Sequence, residues 1–193
     1  MSNELVRQSV VNVESAFSTK LVNDVSKFLD AALWKGGTAV TGSPIGMVNF
    51  ANNVNAGTVA GTAVSANTLY DMHELAMEKN LADDSLRWAM SPGTFTRIRK
   101  LTYNYGARIP RPALSEGAPG TLLGLPYQVT NNITDSHLLL FDRSQVAVGM
   151  DQRASITLLT ETYGASDEVG VRVIARYDTP KMNADAVIQQ HIS

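Results

Sequence analysis

The stretch NELVRQSVVNVESAFSTKLVNDVSKFLDAALWK, Asn3 to Lys35, contains neither glycine nor proline and is followed at once by Gly36-Gly37. Its apolar residues Val10, Val13, Phe17, Leu21, Val25, Phe28 and Ala32 recur in steps of three and four. That spacing returns to one side of a 3.6-residue helix, so a single amphipathic helix is expected. At 1.5 Å per residue it would run about 45–50 Å. Gly36-Gly37 ends it, because glycine takes the left-handed backbone that closes helices without a Cβ penalty. The expectation is roughly seven turns or more within residues 3–36, unbroken near Ser18. Phe17, Phe28 and Trp34 are expected to be mostly buried, since they share the apolar side or the end of the helix. A helix of this length is long for a small domain, so part of it is expected to pack on something outside the chain.

Beyond the helix, Pro44-Ile45-Gly46-Met47-Val48 reads as a turn into a short strand, and Asn49 to Gly61 as loop. Ser65 can cap a helix running to about Lys79, with Leu69, Met72, His73 and Met77 along one side. Leu86 to Met90 is a short apolar strand. Ser91-Pro92 then starts a helix, with Ser as N-cap and Pro at the position where its missing N–H is no loss. Phe95, Ile98 and Leu101 give that helix its buried side. Tyr103 to Thr121 carries Gly106, Pro110, Pro112, Gly117, Pro119 and Gly120, which predicts a long irregular loop. Leu122 to Val129 reads as a strand, Asn131-Asn132 as a turn, and His137 to Phe141 as a buried strand. Val169, Val171, Val173, Ala175 and Tyr177 alternate with their neighbours at a period of two, the mark of a strand. Ile156 and Leu158 begin a partner for it, and Ala184 to Gln190 suggests another strand. The sum is an α+β chain with mostly antiparallel strands.

Of the 193 residues, 44% are hydrophobic and 18% charged, which is enough apolar surface for a real core. The net charge of −2 argues against a protein that grips nucleic acid through phosphates. The chain has no cysteine, so no disulfide or thiolate chemistry is available, as suits a reducing cytoplasm. The N-terminus lacks the basic start and unbroken apolar run of a signal peptide, and no run spans a bilayer. A soluble, intracellular product is expected.

Motifs that would carry chemistry are incomplete. His73-Glu74 opens like a zinc-protease helix, but the second histidine needed four residues on is replaced by Met77. His137 and His191 are scattered from it. No Gly-x-Ser-x-Gly elbow and no phosphate-cradling glycine loop is present. Asp83-Asp84 and Asp167-Glu168 are adjacent carboxylates of the kind usually solvated. Catalytic, cofactor-binding and metal residues are therefore assigned as none.

Four segments, in order, carry a resemblance. The first is Phe28 to Gly37 with Pro44-Ile45-Gly46-Met47. The second is Arg87-Trp88-Ala89-Met90-Ser91-Pro92 through Ile98 and Leu101. The third is Leu122-Leu123-Gly124-Leu125-Pro126-Tyr127 through Ile133. The fourth is Leu140 to Gly149 followed by Val171 to Asp178, ending in an Arg-x-x-x-Arg-x-Asp pattern. Together they cover nearly the whole chain and resemble the Hong Kong phage 97-like major capsid family of tailed phages.

The resemblance implies a phage capsid fold with a long spine helix and two lobes. Residues 1–62 and 138–193 would form a peripheral lobe, and residues 63–137 an axial lobe. It implies a structural major capsid protein and no enzyme, assembling into hexamers and pentamers of an icosahedral phage or prophage shell around DNA. Implied partners are other copies of the capsid protein, with portal and scaffolding proteins beside them. No sequence-specific nucleic acid, membrane or cofactor is implied. The location would be the virion capsid, assembled in the bacterial host cytoplasm. The Tyr103–Thr121 loop would lie near the capsomer centre, with Arg108, Arg111 and Glu116 as possible intersubunit contacts. Relatives carry an N-terminal arm and an extended hairpin before the spine helix, whereas this sequence starts at the helix. It is accordingly expected to stay a monomer or small oligomer, and no cross-linking residue is carried over. Two other readings stand behind this one. An encapsulin-type nanocompartment shell shares the fold, and a small hydrolase would use Glu74 or the paired carboxylates.

Overall fold

His137 to Phe141 and Leu86 to Met90 are apolar at nearly every position, with no alternation. Strands of that kind are buried on both faces. In the computed structural model, which describes residues 13–36, 42–59, 64–100, 120–159 and 170–193, they are neighbours at the centre of a six-stranded sheet. The helices are α1 (Val13–Lys35), α2 (Ala66–Glu78) and α3 (Pro92–Lys100). The strands are β1 (Val54–Val59), β2 (Leu86–Met90), β3 (Thr121–Leu122), β4 (Leu125–Val129) and β5 (His137–Asp142). They continue with β6 (Gly149–Leu159), β7 (Gly170–Asp178) and β8 (Val187–Ile192). The large sheet has the order β1-β8-β5-β2-β4-β3, and β6 pairs with β7 in a separate two-stranded ribbon. The β2–β5, β5–β8, β3–β4 and β6–β7 pairs are antiparallel, while β1–β8 and β2–β4 are parallel. The expected α+β class with mostly antiparallel strands is thus the fold.

The sheet separates two cores. On one face, Leu86, Trp88, Met90, Leu138, Leu140 and Ile188 pack under Leu69, Met72 and Ala76 of α2 and Ile98 of α3. On the other, Ala89, Leu139, Phe141 and Val187 meet Trp34, Met47, Val48 and Ile133. Trp88 is fully buried, and its indole N–H is satisfied by the Leu122 carbonyl at 3.0 Å. The N-terminus of α2 is closed as expected by Ser65, in a reciprocal capping box with Thr68. Met77, expected on the buried side of α2, is exposed. The apolar stripe is centred on Leu69, Met72 and Ala76, and Met77 falls past its edge.

The helix α1 runs unbroken through Ser18, and its described part has 23 residues, or about six turns. Residues 3–12 lie outside the described residues. Gly36 ends it at φ 78°, and its N–H bonds to the Ala32 carbonyl at 2.9 Å. Gly36 rests directly on Gly46, which also has positive φ, and a Cβ on either would overlap backbone of the other segment. Two further expectations are corrected. Met47–Asn49 forms a turn of 3-10 helix, and the strand comes later, at β1, within the stretch read as loop. The sequence of β1, VNAGTV, has little alternation. Long-range pairing with β8 makes it a strand, helped by Gln190 Nε2 donating to the Gly57 carbonyl at 2.6 Å.

Candidate functional site

The last turns of α1 hold it to the body. Trp34 is 7% exposed and meets Phe141 edge-on, with ring centres 6.0 Å apart. Asn49 Nδ2 donates to the Lys35 carbonyl at 2.6 Å, and Asn132 Nδ2 bonds to Asp30. Further toward the N-terminus the helix turns outward. Phe28, expected to be buried, is 55% exposed, and Val22 is exposed too. Phe28 stands at the rim of a cleft, where its own chain covers one side of it only. The surroundings of the Phe17 side chain lie outside what the structure describes.

That cleft, of about 720 Å³, lies between α1, the Gly42–Pro44 turn, and the ends of β6 and β7. Phe28, Leu29, Ala32, Pro44, Met150 and Tyr177 line it. Ile45 and Val148, next in sequence to lining residues Pro44 and Gly149, are exposed, as is Met182 on the segment after β7. Backbone bonds from Ala147 N to Pro180 O at 3.1 Å and Met182 N to Gln145 O at 2.8 Å keep these segments side by side. The apolar ground is marked by one surface ion pair, Arg176 with Asp151 at 3.6 Å. An apolar cleft with exposed Phe28 and Met150 is suited to burial against another protein.

Elsewhere on the body, three titratable groups among the described residues are shifted by their surroundings. Asp142 ends β5, and its Oδ1 accepts from Ser144 N at 2.8 Å and Ser144 Oγ at 2.7 Å. Burial pushes its pKa up, but hydrogen bonds from Ser85, Ser144 and Gln145 outweigh that and hold the carboxyl below its usual value. Burial lowers the Lys181 ammonium against the pull of Asp185. Burial, with His191 beside it, lowers His137.

Among the described residues, those singled out for chemistry do not gather in one cluster. Glu74 is exposed on α2. His73 Nε2 lies 3.1 Å from Asp83 Oδ1, an isolated pair near the surface. Among the described residues no three His, Asp or Glu side chains gather as a metal site. Asp167-Glu168, and Arg108, Arg111 and Glu116 with their loop, lie outside the described residues. Sequence reasoning missed the cleft. Met150 and Phe28 are both apolar in the sequence, but only the fold places them in one cleft. It also missed that His137 and His191 face each other, the first opening β5 and the second near the end of antiparallel β8.

Comparison with known proteins gives this geometry a setting. A model described as the phage capsid family matches residues 1–189. No curated protein matches the chain. Among solved structures, the capsid of an empty GTA particle computed with C5 symmetry is similar over 100% of this chain and 70% of its own. Its TM-score is 0.80 at 16% identity. The structure titled Microbacterium phage Oxtober96 gives 0.74 at 16% identity, covering 100% of this chain and 69% of that one. Gordonia phage Cozz gives 0.72 at 11% identity, covering 100% and 67%. At such identities the likeness is one of fold.

Proposed function

We propose, because this chain belongs to the phage capsid family, that the apolar ground between α1 and the β6–β7 ribbon is where neighbouring copies dock to build the shell. The protein is a structural major capsid protein of a bacteriophage virion, and its partners are other copies of itself. In the finer reading it is of the Hong Kong phage 97-like kind and forms hexamers and pentamers of an icosahedral shell around DNA. Portal and scaffolding proteins join that assembly in the cytoplasm of a bacterial host, and the chain performs no catalysis. Residues 1–62 and 138–193 form the peripheral lobe and residues 63–137 the axial one. Under this division the six-stranded sheet would take strands from both segments, β1, β8 and most of β5 from one and β2, β3 and β4 from the other.

The observation that carries the docking assignment is the exposure of Phe28 and Met150 in one cleft, with Ile45 and Val148 exposed next in sequence to its lining residues Pro44 and Gly149. A closed shell repeats each contact many times, so a modest apolar surface per copy suffices. The test is Phe28→Lys in the full-length protein produced with its phage. The side chain is exposed, so circular dichroism and melting should match the parent. Particle yield should fall at least about tenfold, since an unpaired ammonium would be buried at each contact. Full yield of particles from the variant would remove the cleft from the assembly surface.

A further inference from the structure

The register of β5 and β8 places His137 opposite His191. The ladder hydrogen bonds fall on the flanking pairs, with Ile192 N donating to Ser136 O at 2.8 Å and Asp142 N to Ala186 O at 2.9 Å. His137 and His191 therefore form a non-hydrogen-bonded pair, the type whose Cα atoms come closest, about 4.5 Å, and whose side chains are nearest. Their ring centres are 4.8 Å apart at an interplanar angle of 69°. Both rings are half-buried. They line a cleft of about 380 Å³ together with Asn53, Asn55 and Gln189.

Two contacts organise this cleft for a ligand. Ser136 Oγ lies 3.1 Å from His137 Nδ1. When that nitrogen donates to the hydroxyl, the lone pair is left on Nε2, as in a metal-ligating imidazole fixed by an outer partner. Asn53 Nδ2 is committed to Met47 O at 3.0 Å and Gln189 Oε1 at 2.8 Å. Its Oδ1 is buried with no hydrogen-bond partner among the described residues. Through its bond to Gln189, which also lines the cleft, Asn53 fixes one wall beside the histidine pair.

We propose that His137 and His191 form a two-imidazole chelate for a divalent transition cation of the zinc class, completed by water. The donors are neutral nitrogens and amide oxygens, and no carboxylate lines the cleft. That composition suits zinc or nickel and not calcium or magnesium, which need hard anionic oxygens. The cation ties β8 to β5.

Titration of the chelator-treated full chain with zinc chloride, followed by calorimetry at neutral pH, tests this. One saturable site is expected. His137→Gln and His191→Gln should each weaken it at least about tenfold, because losing an outer-shell partner alone costs 10–100-fold. The double variant should bind no more weakly than either single one, since one imidazole is no chelate. His73→Gln should leave zinc binding unchanged. If the variants at the pair fail to fold, nitrogen NMR of the parent decides. The Nε2 resonances of His137 and His191 should move with zinc while those of His73 stay. No saturable uptake, undiminished affinity in a folded single variant, or movement of the His73 signals alone would overturn the site.

Discussion

Gly46 shows how closely a single residue is specified. Its φ of 80° lies in the left-handed region, and a Cβ there would overlap Gly36 and Lys35 backbone. Neither obstacle is a flexible side chain, so Gly46→Ala should cost on the order of 2–3 kcal/mol of stability, measured by chemical denaturation. A loss near zero would mean that the end of α1 and the Pro44–Gly46 turn are not packed as described. Asp142 makes a second residue-scale case. Its carboxyl is held below the usual 3.8, so the charged form is favoured by folding. The unfolded chain binds the proton more readily, so this contribution is complete above pH 3.8 and is lost as pH falls through the lower folded value. Asp142→Asn should be less stable at neutral pH by on the order of 1–3 kcal/mol. The gap should narrow in strong acid. A gap independent of pH would place its origin in packing and not in charge.

Among the elements, α1 divides into an anchored end and a presented one. Trp34 closes the second core against Phe141, so Trp34→Ala should cost about 3–5 kcal/mol. Phe28→Ala should cost no more than about 1 kcal/mol in the free chain, because more than half of the residue is exposed. Denaturation of the two variants side by side checks both. The helix and its stop were legible from three-and-four spacing and Gly36-Gly37, as were the Ser65 cap and the buried β2 and β5. Which apolar residues of α1 face the body was not, because periodicity marks a face without naming what covers it. Phe28 and Trp34 look alike in sequence and differ only in their surroundings. The strand β1 was illegible for a related reason. Its state depends on β8, at the far end of the chain, and not on its own residues. The hairpin at Leu123-Gly124 was hidden by Leu123, which takes φ 53° where glycine or asparagine would have announced the turn.

For the whole molecule, the sheet order brings the first described strand beside the last and sets them next to the central β5. The candidate site was the least legible part. The cleft is assembled from α1, a turn and the two strands of the ribbon, which lie far apart in sequence and carry no motif between them. The docking proposed for it needs a second copy, which a single sequence does not show. Electron cryomicroscopy of the phage particle tests most directly whether this chain builds the shell. The wall should be made of five- and sixfold rings whose subunit density accommodates α1 through β8, with the Phe28–Met150 cleft filled by a neighbouring copy. A wall built from another protein, with this chain absent from it, would contradict the assignment.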